Sequence, residues 1–444
     1  MAINLERKDF LLIMEEKNSK RYRRSRVLVI IEAAVEYFIA LCATSTCLTA
    51  VLNEMQVSTS LQGVITAITS LACSVQLLAV FSVKKTYPCK RWVSILNLIN
   101  QLLFAVMYFI PMFSVSKEIK VVFLIATLLA AYSCQHYLTP SRVSWQMSLV
   151  DDNKRGIFTA NKEIVSLLGG MAVSQVSGIL LDHFTAKGDM QTCFIIFAVT
   201  IVVLSLIHLY IMLATHEPKP ETPAAPKSFR EILGVVFGSR NLRRVVIFDA
   251  LFTISSVSLN FYSVYLVNTL GLSFTYIAAI NILHCLFRAL VSRFLGALAD
   301  KKSWAYMLRI CMLVLSAGYA IFLFCTPENA VWMYPIFSLC YAFSLGGSNA
   351  GRNNLCLDYV AVENRRYVLG IQHAISGVLG FLATLVASVL VDYVEQNGNA
   401  LLGISVYPQQ ILFAISCVMV LALAFGFLPF LSKPRRVSTL ENQQ

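Results

Sequence analysis

Long apolar blocks alternate with short polar ones along this chain. Twelve of the blocks reach the roughly 20 mainly apolar residues that a helix needs to cross a bilayer. Their approximate limits are 26–52, 59–83, 92–113, 121–149, 157–182, 192–214, 244–267, 274–298, 305–325, 331–357, 367–393 and 409–431. The polar stretches between them are short, with one exception: Thr215 to Arg243 contains KPETPAAPK and divides the blocks six and six. The expected layout is an N-terminal extension (1–25), a first six-helix half (26–214), a linker (215–243), a second six-helix half (244–431) and a tail (432–444).

Composition excludes the soluble alternative. Hydrophobic residues make up 57% of the 444 and charged ones 14%, with a mean hydropathy of +0.69. A soluble domain carries about 25% charged residues, so this chain cannot cover a water-facing surface. An all-α integral membrane protein is expected. The start, MAINLERKDFLLIMEEKNSKRYRRSR, has charge on both sides of a short apolar run and no small-residue cleavage site, which reads as a cytoplasmic extension rather than a signal peptide. The 12 cysteines are scattered through apolar runs without a Cys-x-x-Cys pair, so they are expected to be buried thiols, not disulfides or metal ligands.

The net charge of +12 would suggest nucleic acid in a soluble protein. Its placement says otherwise. Of the 36 Lys and Arg residues, 27 fall in segments on one side of the twelve-span scheme and three (Lys117, Lys120, Lys187) on the other. That bias places the N-terminus, linker and C-terminus in the cytoplasm of a multi-pass protein of the plasma membrane. A nucleic-acid partner is then unnecessary, whereas anionic membrane lipids are partners these charges could meet.

The two halves echo one another. VLNEMQVS (51–58) matches LVNTLGLS (266–273), pairing Asn53 with Asn268; KRW (90–92) matches KSW (302–304); DNKR (152–155) matches ENRR (363–366). Gly169 matches Gly380, Ser177 matches Ser388, and Asp182 and Asp392 close their spans. Four matches in one order point to an internal repeat. Two six-helix halves of the same orientation resemble the major facilitator superfamily, whose members alternate access by rocking one half against the other. The superfamily's loop motif after the second helix of a half is partly kept in GALADKKSWA, where Gly296, Asp300 and Lys301 fit and Ser303 replaces a glycine. VFSVKKTYPCKR in the first half lacks both the Gly and the Asp. SLLGGMAVSQVSG lacks the Gly-Pro of the family's antiporter signature, which points away from drug/proton antiport. The resemblance implies gating roles for Asp300 and Lys301 against Arg365 or Arg366, and for Lys154 and Arg155 in the first half. The plainer alternative is that these charges only set topology.

Charges inside spans are costly, about 2.5–3.5 kcal/mol each at the bilayer centre on insertion scales, so each must face protein or water. At 1.5 Å per residue, Glu36 lies about 15 Å above Arg26 and Arg142 about 13 Å above Asp151, at similar depth. The resemblance places spans 1, 4, 7 and 10 around a central cavity, and SRVSW matches GRNNL, so Arg142 and Arg352 are repeat partners there. Gln135 and Gln146 share a helical face with Arg142, and Asn349 and Asn353 flank Arg352 in SLGGSNAGRNN, whose glycines could let span 10 bend. In one reading the two arginines fork onto an anionic or polyhydroxylated solute. In the other each is neutralised within its half, Arg142 by Glu36 or Glu32 and Arg352 by Asp249 or Asp358. Glu32 and Glu36 stand four apart, and two carboxylates on one face repel when both are ionised, which marks them for proton coupling. His284 and Arg288, again four apart, are placed either at the cavity edge or against polar groups of span 7 such as Asn260. Lys162 is expected to snorkel to the interface, with Glu163 as its partner or a neighbour's.

No phosphate-cradling loop, metal-ligand spacing or nucleophile elbow is present, so no cofactor, metal or enzymatic chemistry is expected. The reading is a secondary transporter, monomeric, for a small polar, anionic or sugar-like organic solute, coupled to protons or another cation if coupled at all. The alternatives are an efflux antiporter for amphipathic compounds and a transporter-like receptor that does not transport.

Overall fold

The computed structural model describes residues 20–82, 88–151, 154–218, 228–401 and 403–431. Most of the expected N-terminal extension, the loop with Lys84 and Lys85, the Pro-rich centre of the linker and the tail lie outside the described residues. Among the described residues the main helices are α1 (Lys20–Glu54), α2 (Thr59–Ser82), α3 (Lys90–Val106), α4 (Lys117–Ser148), α5 (Arg155–Lys187), α6 (Met190–Ala214), α7 (Arg240–Ser255), α8 (Phe274–Lys301), α9 (Trp304–Leu323), α10 (Ala330–Leu357), α11 (Arg365–Gln396) and α12 (Pro408–Gly426). Ten are long and apolar enough to cross a membrane; α3 and α7, at 17 and 16 residues, are shorter. A small ribbon pairs β1 (Ala400–Leu401) with β2 (Ile404–Ser405). Within the segment read as a linker, Phe229–Gly238 forms a short helix that seats Ile232 and Val236, four apart, in the core of the second half.

Local chemistry sets the breaks. In α1 the Thr44 hydroxyl donates to the Ala40 carbonyl (2.8 Å), and Ser45 follows in the left-handed region (φ 49°). At the end of α7, Ser255 and Ser256 both donate to the Phe252 carbonyl (2.7 and 3.0 Å), and the chain continues as a 3-10 turn, Val257–Asn260, and a π turn, Tyr265–Thr269. Hydroxyls bonded back to the preceding turn compete with the helix ladder. Between α5 and α6, Gly188 takes φ 69°, the position a helix C-terminus reserves for glycine. Asp189 then caps α6, its side chain accepting from the Thr192 amide. Those hydrogen bonds hold the exposed Asp189 carboxyl below the ordinary aspartate range.

The packing has a period. α1 packs on α5 and α6, α2 on α4, and α3 on α4 and α6. The same pairs recur with every label raised by six: α7 on α11 and α12, α8 on α10, α9 on α10 and α12. Across the middle, α2 packs on α11 and α5 on α8. The two largest hydrophobic cores divide at the linker; Val80 joins the core of the second half and Phe274 that of the first, and the partly buried Leu77, Phe81, Val267 and Phe381 also pack across. Matched contacts follow the same period. Gly169 of α5 admits the Phe38 ring of α1, where a Cβ would stand 2.3 Å from it. Gly380 of α11 admits Thr253 of α7, where a Cβ would stand 2.7 Å from its methyl. α10 does not break at its glycines: a Cβ at Gly347 would lie 2.5 Å from Met307 Sδ, so these glycines let α9 approach.

At one end the halves are tied across the middle. The Asn53 and Asn268 amides exchange reciprocal hydrogen bonds (2.7 and 2.9 Å), Gln62 Nε2 donates to Asn53 Oδ1 (2.9 Å), and Thr49 donates to Ser263 (2.9 Å). Asp182, at the end of α5, accepts from the amides of Phe274 and Thr275 (2.9 and 2.7 Å) and so caps α8 of the other half. Gly377 of α11 packs where a Cβ would stand 2.2 Å from the Ser70 carbonyl of α2. A backbone oxygen cannot swing aside as a side chain does, so Gly377→Ala is expected to cost about 1–3 kcal/mol by overpacking. Thermal unfolding of the purified variant tests this. Gly426→Ala is the control, because nothing lies within 4 Å of a Cβ there.

Candidate functional site

Two buried charge clusters lie inside the helices, one in each half. In the first, Arg142 of α4 places Nη1 2.5 Å from Glu36 Oε1 and 3.8 Å from Glu32 Oε1, both on α1. Glu32 is 2% exposed and is fully engaged: Gln146 Nε2 donates to its Oε2 (2.7 Å) and His208 Nε2 lies 3.0 Å from its Oε1. His208, on α6, is completely buried. Its Nδ1 meets the side-chain amides of Asn97 (3.2 Å) and Gln101 on α3. As oriented, those amides donate, which leaves the neutral imidazole to donate from Nε2 to Glu32. The Asn97 and Gln101 oxygens have no hydrogen-bond partner among the described residues. Rotating either amide would turn its oxygen toward Nδ1 and serve a doubly protonated imidazolium.

Charge counting sharpens this. Glu32 and Glu36 against Arg142 leave one uncompensated negative charge in a buried site. Lys162 of α5 reaches the edge of the cluster through Gln146 Oε1 (3.4 Å) and is only half-buried. Either that lysine or one bound proton on His208 or a carboxylate completes neutrality.

The second cluster repeats the arginine–acid pairing without the excess acid. Arg352 of α10 sets Nε 2.5 Å from Asp249 Oδ1 on α7, and its Nη2 donates to Thr253 (3.0 Å). The guanidinium stacks over the Phe252 ring at 4.6 Å. Ser376 of α11 donates to Asp249 Oδ2 (2.6 Å), so a carboxylate 1% exposed is satisfied at both oxygens. The Arg352 side chain is 24% exposed against 11% for Arg142 and is the more open of the two. His373 bridges Asn353 of α10 (3.0 Å) and Gln76 of α2 (3.3 Å), a polar link between the halves.

The other sequence candidates are spread more widely. Gln146 and Asn353 belong to the clusters; Gln135 is half-buried one turn before Thr139, and Asn349 is exposed on α10. Arg288 of α8 pairs with Glu163 of α5 (3.2 Å) in a half-open salt bridge between the halves, so the partner of Glu163 is not Lys162. His284 points its Nδ1 at the Ser338 carbonyl of α10 (3.1 Å) and packs on Tyr341, while Asn260 bonds Thr384 instead. Asp300, Lys301, Arg365 and Arg366 are all exposed, and among the described residues no ion pair joins them. Arg366 turns onto its neighbour Tyr367, and Lys154 pairs with Asp151 (3.3 Å) within its own loop.

His208 is the functional candidate that sequence reasoning missed. It is the only His, Lys, Arg, Asp or Glu in the run 192–214, and that solitude in so apolar a helix was the available signal.

Comparison with known proteins settles the family. The Major Facilitator Superfamily model matches residues 33–384. The chain belongs to that superfamily. This facilitator is a secondary transporter of a small organic solute and not an enzyme. No curated protein matches it. Among solved structures it is similar to a mutant of the nucleoside transporter NupG, at 15% identity and TM-score 0.70, over 92% of this chain and 100% of that one. It is similar also to a D-xylose–proton symporter (12% identity, TM-score 0.65, 93% and 99% coverage). A bacterial homologue of the human lysosomal transporter Spinster, in an inward-facing and unoccupied conformation, follows at 15% identity and TM-score 0.57, with 93% and 95% coverage. At such identities the likeness is one of fold.

Proposed function

We propose that this facilitator carries a neutral, hydroxyl-rich solute of sugar or nucleoside type across the plasma membrane, coupled to protons. It does so as a monomer with twelve spans in two parallel six-helix repeats and both termini in the cytoplasm. The six-label period of the packing and the 27-to-3 charge bias support that architecture. The observation that carries the solute class is the pairing of each cavity arginine with a carboxylate of its own half, Arg142 with Glu36 and Arg352 with Asp249. A free arginine favours an anion. A paired one offers a donor and an acceptor side by side, which matches a hydroxyl, since a hydroxyl both donates and accepts. NupG and the xylose symporter are described as carrying such molecules.

In this reading the solute enters between α1, α4, α7 and α10, loosens one or both arginine pairs and takes their hydrogen bonds. The ties around Asn53 and Asn268 close one end, which in the proposed topology is the outer one, and Asp300, Arg365 and Arg366 stand apart at the other. That corresponds to an inward-facing state. The excess acid of the Glu32–Glu36–Arg142–His208 cluster is the proposed proton site.

A thermal-shift screen of the purified protein against sugars, nucleosides, organic acids, amino acids and lipophilic cations tests the solute class. Sugars or nucleosides are expected to raise the unfolding midpoint. Stabilisation by lipophilic cations alone would sink the reading in favour of efflux.

A further inference from the structure

At the corner where α1 and α3 begin and α6 ends, a cavity of about 440 Å³ is lined by Lys20, Arg21, Arg24 and Lys90, with Ser25 and His216. A second hollow of about 380 Å³ shares Lys20 and Arg24 with the first and continues along α1 over Arg23, Val27 and Leu28. Val27 is 52% exposed and Ile31, one turn further, 43%, so an apolar strip leads away from the basic cavity.

The charges of this cavity are not consumed locally. Among the described residues no carboxylate pairs with Lys20, Arg21 or Arg24. Next to the cavity Glu217 accepts from the backbone amides of Cys89 (2.6 Å) and Lys90 (3.2 Å), and Lys90 Nζ donates to the Thr215 carbonyl (2.9 Å). Four cations thus line a space with no carboxylate among its lining residues, and Glu217 beside it already caps a helix. Val27 is seven residues along α1 from Lys20, about 10 Å, roughly the distance from a phosphate to the first methylenes of an acyl chain.

We infer that this corner is a binding site for an anionic phospholipid, with the phosphate headgroup among Lys20, Arg21, Arg24 and Lys90 and one acyl chain along Val27 and Ile31. The basic cavity alone would suit any phosphate; its continuity with an apolar strip selects an amphiphile. The site lies outside the transport clusters and does not depend on the proposed solute.

Native mass spectrometry of the full-length protein, released from detergent carrying equal phosphatidylserine and phosphatidylcholine, tests it. The wild type is expected to retain phosphatidylserine preferentially. Each basic residue near an anionic headgroup contributes about 1 kcal/mol, so Lys20→Gln/Arg21→Gln/Arg24→Gln should weaken retention on the order of 100-fold at low salt. The charge-keeping variant Lys20→Arg/Arg21→Lys/Arg24→Lys should retain it, which separates lost charge from lost folding. Val27→Asn should weaken phosphatidylserine retention while leaving the affinity for inorganic phosphate unchanged. Equal phosphatidylserine retention by the wild type and the glutamine variant overturns the site. Displacement by inorganic phosphate as effective as by phosphatidylserine overturns the lipid and leaves a free-anion site.

Discussion

Arg142→Ala is expected to abolish uptake and to destabilise the protein by about 3–5 kcal/mol, the cost of breaking a buried ion pair from one side. The loss is large because two carboxylates depend on this guanidinium, Glu36 at 2.5 Å and Glu32 at 3.8 Å. Stability and transport can be separated. In Arg142→Met/Glu36→Gln the remaining Glu32 keeps His208 and Gln146, so most of the stability should return. Uptake should not return, because the donor–acceptor pair proposed to meet the solute is gone. Unfolding midpoints and uptake into proteoliposomes, measured on wild type, Arg142→Met, Glu36→Gln and the double, form the cycle that decides. Normal uptake by the double variant would reduce Arg142 and Glu36 to a structural tie. Arg352→Ala should also abolish uptake at a smaller cost in stability, since that side chain is more open and Asp249 keeps the Ser376 hydroxyl.

His208→Gln should uncouple transport from protons. The glutamine preserves a donor toward Glu32 and the shape of the site but cannot titrate. In the proposed reading a proton taken up at this cluster accompanies the solute, so uptake should fall as pH rises. In the variant the pH profile should flatten, and uptake driven by a proton gradient should fall to the level seen without the gradient. Exchange of labelled for unlabelled solute, which moves no net proton, should survive. An unchanged pH profile would remove His208 from the coupling path. Parallel flattening in Glu36→Gln would show that the proton is shared by the cluster.

Much of the fold was legible because bilayer crossing writes itself as length and hydropathy. Ten of the twelve apolar runs coincide with helices long and apolar enough to cross a membrane, and the pairing of Asn53 with Asn268, read as a repeat match, appears as a direct contact. What one dimension hid was competition within a run. The block 244–267 sums as one span, yet Ser255 and Ser256 draw the Phe252 carbonyl out of the helix ladder and α7 stops. The glycines of α10 read as a hinge because sequence does not show that Met307, about 40 residues earlier on α9, fills the space above them. The arginine pairs were visible as alternatives, since depth along a helix is additive, but the choice between solute and acid needed three dimensions. His208 was hidden because its partners come from α1 and α3, more than 100 residues before it.

The separateness of the two cores bears on how the protein is made. Every partner of the Arg142 cluster lies before the linker: Glu32, Glu36, Asn97, Gln101, Gln146, Lys162 and His208. A ribosome that has not yet reached residue 228 has already delivered everything needed to neutralise the first half's buried charges. Among the described residues the carboxylates that wait for helices still to be synthesised are Glu163, whose half-open bridge is to Arg288, and Asp182, which caps α8. The second half likewise brings Asp249, Thr253, Arg352 and Ser376 within itself. The contacts left until last are mainly neutral amides, hydroxyls and helix caps, which tolerate delay because water or headgroups can serve them meanwhile. Assembly from the N-terminus onward thus places the electrostatically dangerous steps inside each half and leaves the joining of halves for the end.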